Sequence, residues 1–351
     1  MNKNHILIYG ATGFTAQLTA IEVQKFTKNI ILGGRNLAAV EKISLDLKIP
    51  FVAFKLSDPS TIEQNLNNIA IVINCAGPFK FTYQPLVEAC IKTKTHYIDI
   101  TGEIDVFEAI RRYDEKAKEA SVMLMPGCGF DVVPSDCLGL KLKKLLPDAT
   151  HLELAFCSIG GSWSGGTMKT MIEGMGEGGA IRKDGKVIKV PSAYKTKHIN
   201  FGPFEAESVT IPWGDVSTAY FSTGIANIEV YLGANEKMIN QMKKLNWLAF
   251  ALKWNWVKKI LINRVDKNKS KMEAKAINPK GRTYLYGKVT NNSGGIAEAR
   301  LETINGYSLT AYTAALIAKK IMDGSLRVGY QTPSSVYGEN LITEVEGCKY
   351  E

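Results

Sequence analysis

Runs of apolar, β-branched residues recur through the first third of the chain: "HILIY" from His5, "NIILGG" from Asn29, "FVAFK" from Phe51, "IAIVINCAG" from Ile69, "HYIDITG" from His96 and "SVMLMPG" from Ser121. Their hydrophobicity is continuous rather than alternating, which predicts strands buried on both faces, as in a parallel sheet. Polar-apolar segments of helical length separate them. Residues 84–94 form one, and 104–120 another, with Val106, Ile110 and Tyr113 on one predicted face. Strand alternating with helix predicts an α/β, doubly wound parallel sheet.

The first strand runs into Gly10-Ala11-Thr12-Gly13-Phe14-Thr15-Ala16, a GxxGxxA turn that opens a helix. Gly10 permits a tight exit from the strand, Gly13 lets the backbone approach a pyrophosphate, and Ala16 keeps the helix close to the sheet, while the helix start offers N–H groups to an anion. A glycine turn serving only strand-to-helix geometry is the competing reading. An NAD site usually ends the second strand with a carboxylate for the ribose 2′-hydroxyl, but here the chain reads Leu32-Gly33-Gly34-Arg35-Asn36. A guanidinium suits a 2′-phosphate through charge-assisted hydrogen bonds, so NADP(H) is favoured over a merely solvated arginine. Beyond the third strand, Ser57 and Asp58 stand where an adenine edge would lie; Ser-Asp-Pro is equally a helix-capping turn. After the fourth strand, "NCAGPF" supplies Gly77, Pro78 and Phe79, a close and rigid backbone suited to a nicotinamide ribose or to a buried turn without ligand.

Taken in order, "YGATGFTA", "LGGRN", "INCAGPF" followed by "QPLVEAC", "THYIDITGE", "PGCGFDVVPSD", "SGGTMKTMIE" and "GYQTPSSVYG" resemble the saccharopine dehydrogenase-like oxidoreductases, including the trans-acting enoyl reductases of mycobacterial lipid synthesis. The resemblance implies a Rossmann domain with an inserted α+β domain. The expected division is a NADP-binding domain over 1–135, a mixed substrate or dimerisation domain over 150–305, and a segment 306–351 returning to the first. It implies Gly10, Thr12, Gly13, Phe14 and Thr15 on the pyrophosphate, Arg35 on the 2′-phosphate, and Gly77, Pro78 and Phe79 near the nicotinamide. The chain departs from the family pattern at Ala16, Tyr83 and Lys94, each in place of a glycine, and Tyr83 bears on the nicotinamide pocket.

From His151 the regular alternation breaks. Residues 160–179 are glycine-dense, predicting a loop and then a short helix from about Thr167, and 188–232 suits an antiparallel sheet, with "AYFSTGIANIEVYL" as its clearest run and one face free to roof the nicotinamide. Residues 245–264 place Trp247, Phe250, Trp254, Val257 and Leu261 on one helical stripe beside Lys253, Lys258 and Lys259. That pattern suits an anionic membrane interface, a cover over a greasy tunnel, an oligomer contact such as a homodimer, or a core helix. Net charge sharpens the picture: of the chain's +9, +8 falls between Glu236 and Lys275, so the remainder is nearly neutral and nucleic acid is not an expected partner. Six scattered cysteines without CxxC spacing predict neither a zinc site nor a disulfide framework. An apolar run beginning at His5 leaves no room for a secretory leader, so a cytoplasmic location is expected, with membrane association an open alternative.

Tyr97, Asp99, Glu103, Asp131, Ser135, Asp136 and Lys169 are polar candidates at or beyond strand ends, with Asp131 first among them for proton transfer. Ser135-Asp136 reads as a cap for the helix "CLGLKLKKLL", and Lys169 as a solvated helix residue. The expected function is NADPH-dependent reduction of an apolar acyl or lipid-like substrate. The alternatives are saccharopine-type reduction of an amino acid imine, for which few arginines are available, and a non-catalytic NADP-binding module at a membrane.

Overall fold

The computed structural model describes residues 3–161, 163–246, 254–276 and 278–351. The chain begins β1 (His5–Tyr9), α1 (Phe14–Gln24), β2 (Ile30–Gly34), α2 (Leu37–Leu47), β3 (Phe51–Ala53), α3 (Pro59–Leu66), β4 (Ile69–Asn74), α4 (Tyr83–Thr93), β5 (His96–Asp99), α5 (Ile104–Arg111), α6 (Asp114–Glu119) and β6 (Met123–Met125). Then come α7 (Val133–Leu145), β7 (His151–Ile159), α8 (Gly165–Gly174), β8 (Gly179–Lys183), β9 (Lys186–Val190), β10 (Thr196–Asn200), β11 (Glu205–Thr210), α9 (Asp215–Thr223), β12 (Asn227–Gly233) and α10 (Glu236–Leu245). The chain closes with α11 (Asn255–Ala276), β13 (Arg282–Thr290), β14 (Ile296–Ile304), α12 (Gly306–Met322), β15 (Gly329–Tyr330), α13 (Pro333–Tyr337) and β16 (Lys349–Tyr350).

Two units result: Met1–Val133 with Tyr307–Val336, and Pro134–Gly306 with Tyr337–Glu351. In the first, a seven-stranded sheet runs β15-β6-β5-β4-β1-β2-β3 with every pairing parallel. Ile6, Leu7, Ile8, Ile71, Val72 and Ile73 are wholly buried, which is why these strands carry unbroken apolar runs. The chain leaves β1 for β2 and β3 on one side and returns through β4, β5 and β6 on the other. The order therefore reverses between β1 and β4, and a crevice belongs at the carboxyl ends of those two strands.

Residues 104–120, predicted as one helix, form two. Arg112 and Tyr113 interrupt it, and α6 restarts on Asp114, whose carboxylate accepts the Tyr330 N–H of β15 at 2.7 Å. Val106 and Ile110 are buried as predicted, whereas Tyr113 donates its hydroxyl to Glu88. Lys94 closes α4 at φ 54°, the left-handed conformation that a glycine adopts without strain.

The second unit is built on a nine-stranded mixed sheet, β10-β11-β12-β7-β13-β14-β16, with β8 on β12 and β9 on β8. Within 188–232, β10, β11 and β12 pair antiparallel as predicted, and β12 adds a parallel pairing with β7 from outside that range. The first part of "AYFSTGIANIEVYL" is not strand: Asp215–Thr223 is helix α9, and only Asn227–Gly233 is extended. The segment after 306 divides, since α12 and β15 lie in the first unit while β16 pairs with β14 in the second. The predicted helix over 245–264 is α10 ending at Leu245 and α11 running from Asn255 well past Arg264; Trp247, Phe250 and Lys253 lie outside the described residues. No helix among the described residues is long and apolar enough to cross a membrane.

Candidate functional site

Gly10 leaves β1 at φ 89°, and a β-carbon there would fall 2.7 Å from the backbone nitrogen of Ala76. The turn after β1 thus touches the turn after β4 so closely that only glycine fits. Gly13 donates its N–H to the Gly10 carbonyl at 2.9 Å and is the N-cap of α1, where it offers no side chain. No acidic residue stands in that first turn. The neighbouring helices at this edge are finished differently: Asn36 accepts the Ala39 N–H at 3.1 Å to cap α2, and Asp58 accepts the Ser60 N–H at 3.0 Å to cap α3. Only α1 of these three leaves its first-turn N–H groups without a side-chain cap, and that is the arrangement that receives an anion. Thr12 is exposed, Phe14 and Thr15 are half-buried, and Ala16 is buried. Tyr307, at the start of α12, meets the Phe14 ring edge-on at 5.6 Å, a contact with no local signature in the sequence.

The glycines before Arg35 are also dictated by packing. A β-carbon on Gly33 would stand 2.9 Å from Leu7 Cδ1, and one on Gly34 would stand 2.7 Å from Val40 Cγ2. β2 can therefore end tight against β1 and α2, and Arg35 emerges at its carboxyl end, exposed and without an ion pair among the described residues. Burial pushes the Tyr9 phenol up to about 12, against the opposing effect of the Arg35 charge. Ser57 and Asp58 are exposed. Hydrogen bonds from Thr61 and Ser60 hold the Asp58 carboxyl below its usual range, as expected of a working cap. Asp58→Ala is expected to lower the midpoint of chemical denaturation slightly, as loss of an exposed N-cap does. Titrating the same variant with NADPH separates the cap from a role at an adenine edge.

The carboxyl ends of β4, β5 and β6 are tied together by a buried network. Asn74 donates to the Tyr97 hydroxyl at 3.1 Å and to Thr82 Oγ1 at 3.2 Å, and its carbonyl accepts the Ala76 N–H at 3.0 Å. Tyr97 donates to Asp99 Oδ2 at 2.8 Å, while Asp99 Oδ1 accepts the N–H groups of Thr101 at 3.0 Å and Gly127 at 2.9 Å. Burial raises the Asp99 carboxyl to about 7, even though these donors favour its charged form. Glu103 reaches back to the turn after β4, accepting the Phe79 N–H at 2.7 Å and the Lys80 N–H at 3.0 Å. In that turn Gly77 is exposed, Pro78 half-buried and Phe79 buried. Tyr83 begins α4 and lines a groove with Glu88, Arg112 and Tyr113.

Asp131 lies against Gly102, the residue before Glu103. A β-carbon on Gly102 would fall 2.5 Å from its Oδ2. The carboxyl has no hydrogen bond or ion pair among the described residues, and burial alone raises it to about 7. Its loop is held by α12: Thr310 Oγ1 accepts the Phe130 N–H at 3.0 Å, and Thr313 donates to the Cys128 carbonyl at 2.7 Å. Asp131, Glu103, Phe79 and the Asn74–Tyr97–Asp99 network thus share one edge of the first sheet.

Other candidates lie elsewhere. Ser135 and Asp136 do not cap α7, which already begins at Val133; Ser135 donates to Asp215 at 2.8 Å and Asp136 accepts from Ser222, both on α9. Lys169 is paired with Asp266 at 2.6 Å.

Residues 6–125, which contain the glycine turn, Arg35 and the turn after β4, match the family model described as saccharopine dehydrogenase NADP binding domain. The likeness is to that domain and covers about a third of the chain. A saccharopine dehydrogenase-like oxidoreductase of Mus musculus is 28% identical over 204 residues, covering 51% of this chain and 48% of that protein. A trans-acting enoyl reductase of Mycobacterium leprae is 32% identical over 184 residues, covering 48% of this chain and 44% of that protein. The matches therefore span about half the length of these curated relatives. The structure of apo saccharopine dehydrogenase (L-Glu forming) from Saccharomyces cerevisiae is similar over 99% of both chains, with a TM-score of 0.65 at 13% identity, a likeness of fold.

Proposed function

We propose that the chain is an NADPH-dependent oxidoreductase that reduces an apolar acyl or lipid-like substrate by enoyl-reductase-type chemistry. The observation that carries this reading is the uncapped start of α1 inside the glycine turn, locked against the turn after β4. Gly10, Thr12, Gly13, Phe14 and Thr15 would hold the pyrophosphate, Arg35 and Asn36 the phosphorylated ribose, and Ser57 and Asp58 the adenine edge. Gly77, Pro78 and Phe79 would lie along the nicotinamide. The residues present fit such a group, because no side chain caps the first-turn N–H groups of α1 and Arg35 has no acidic partner to displace.

When bound, NADPH supplies the hydride. The chain supplies alignment and one proton. Glu103 fixes the Phe79–Lys80 backbone, the Asp99 network fixes the loops around it, and Asp131, raised to about 7, retains a protonated fraction at neutral pH and can donate. The enoyl class rests on similarity to relatives named trans-acting enoyl reductase.

Calorimetric titration with NADPH and NADH tests the cofactor, and NADPH consumption with enoyl thioesters of increasing chain length tests the substrate. Tighter NADPH binding and turnover that improves with chain length are expected. If neither nucleotide binds, the oxidoreductase reading fails.

A further inference from the structure

The nucleotide chemistry leaves the outward face of α11 unused. Its inner face, with Val257, Leu261, Val265, Met272 and Ala276 buried or half-buried, is held to α8 by the Lys169–Asp266 pair at 2.6 Å and by Lys258, which donates to the Glu173 carbonyl. An adjoining exposed face presents Trp256, Ile260, Arg264, Lys267, Lys271 and Lys275, spaced by three or four residues and so aligned in one stripe. Trp256 is 60% exposed and Ile260 51%, and Trp254 stands beside them with its ring 6.0 Å from that of Trp256. The four cations that follow are exposed, and none forms an ion pair among the described residues. From Arg264 to Lys275 they extend along about 16 Å of helix.

We propose that this stripe is a docking surface for an anionic lipid bilayer. The two indoles and Ile260 enter the interfacial layer, and the cations lie along the lipid phosphates. Charge favours this occupant: +8 of the chain's +9 is concentrated between Glu236 and Lys275, a local field that a negatively charged surface satisfies. A second copy meeting this face through a twofold axis would set like charges against one another, since the stripe carries no acid to answer them. A nucleic acid would answer the lysines but leave Ile260 and the apolar end without a partner.

The test is co-sedimentation of the full chain with vesicles of phosphatidylcholine alone and of phosphatidylcholine with phosphatidylserine at about three to one. Binding to the anionic vesicles only, weakening as salt is raised, is expected. Lys267→Glu with Lys271→Glu should reduce it more than tenfold, since each basic residue at such a surface contributes roughly fivefold. Trp256→Ala should weaken it while the salt dependence remains. Both variants change exposed side chains, and circular dichroism with thermal melting verifies that they fold. Equal binding to neutral vesicles, no binding to either, or an unchanged double variant overturns the proposal. So does self-association or oligonucleotide retention that the double variant abolishes while vesicle binding is absent.

Discussion

Arg35→Ala is expected to weaken NADPH binding by about 10- to 150-fold and to leave NADH within about twofold. The range corresponds to losing a hydrogen bond to a charged group, roughly 1.5–3 kcal/mol. The specificity follows from position. Gly33 and Gly34 bring β2 to its end tight against β1 and α2, so the next side chain is delivered to the sheet's carboxyl edge, where a ribose substituent would lie. Arg35 has no acid to compete for its guanidinium, so removing it exposes no unpaired partner and leaves stability nearly unchanged. Paired calorimetric titrations and one melting curve are sufficient. An equal loss for both nucleotides would place Arg35 on the pyrophosphate or in general electrostatics, and the 2′-phosphate assignment would fail.

The first sheet was legible because burial on both faces forces strands such as Ile6–Ile8 and Ile71–Ile73 to be continuously apolar, and that pattern is local. The glycine turn was legible from its short spacing after an apolar strand, Gly10, Gly13 and Ala16, although the contact that demands Gly10 is with Ala76, far along the chain. Helix α9 was not. Its Val216, Thr218 and Phe221 have strand-like composition, but burial against the rest of the second unit holds them helical, a tertiary choice that overrides propensity. The two helices within 104–120 depend on Asp114 meeting Tyr330, a residue 216 positions away.

Distance along the chain also explains what the site reading missed. Ser135 and Asp136 precede an apolar helix, as caps do, but their partners Asp215 and Ser222 are more than 75 positions on. The Glu103 strap on Phe79 and Lys80 spans 24 and 23 positions, and Thr310 meets Phe130 across 180. Asn74 alone carried a local clue: one amide closing an otherwise apolar buried strand requires partners, and it finds them in Ala76, Thr82 and Tyr97.

Asp131→Asn is expected to make the protein slower and more stable at once. As the proposed proton donor, Asp131 accounts for roughly 100- to 10,000-fold in turnover, so kcat should fall by that order while NADPH affinity holds. The native rate should decline above pH about 7, where the donor ionises, and the variant should lose that limb. Asp99 also titrates at about 7, so disappearance of the limb in the Asp131 variant is what assigns it. The stability effect has the opposite sign. A carboxyl raised to about 7 in the fold, against about 3.9 unfolded, stabilises the folded state fully only below the lower value, and that contribution is lost as pH rises through the higher one. At pH 8 the native protein holds an ionised carboxylate without a partner, and replacing it with a neutral amide should gain about 2–4 kcal/mol. By about pH 4 the gain should vanish. Urea denaturation of both proteins across that range requires no substrate. A variant no more stable than the native protein at pH 8 would mean that Asp131 is solvated or paired, and it would then have no claim to the proton.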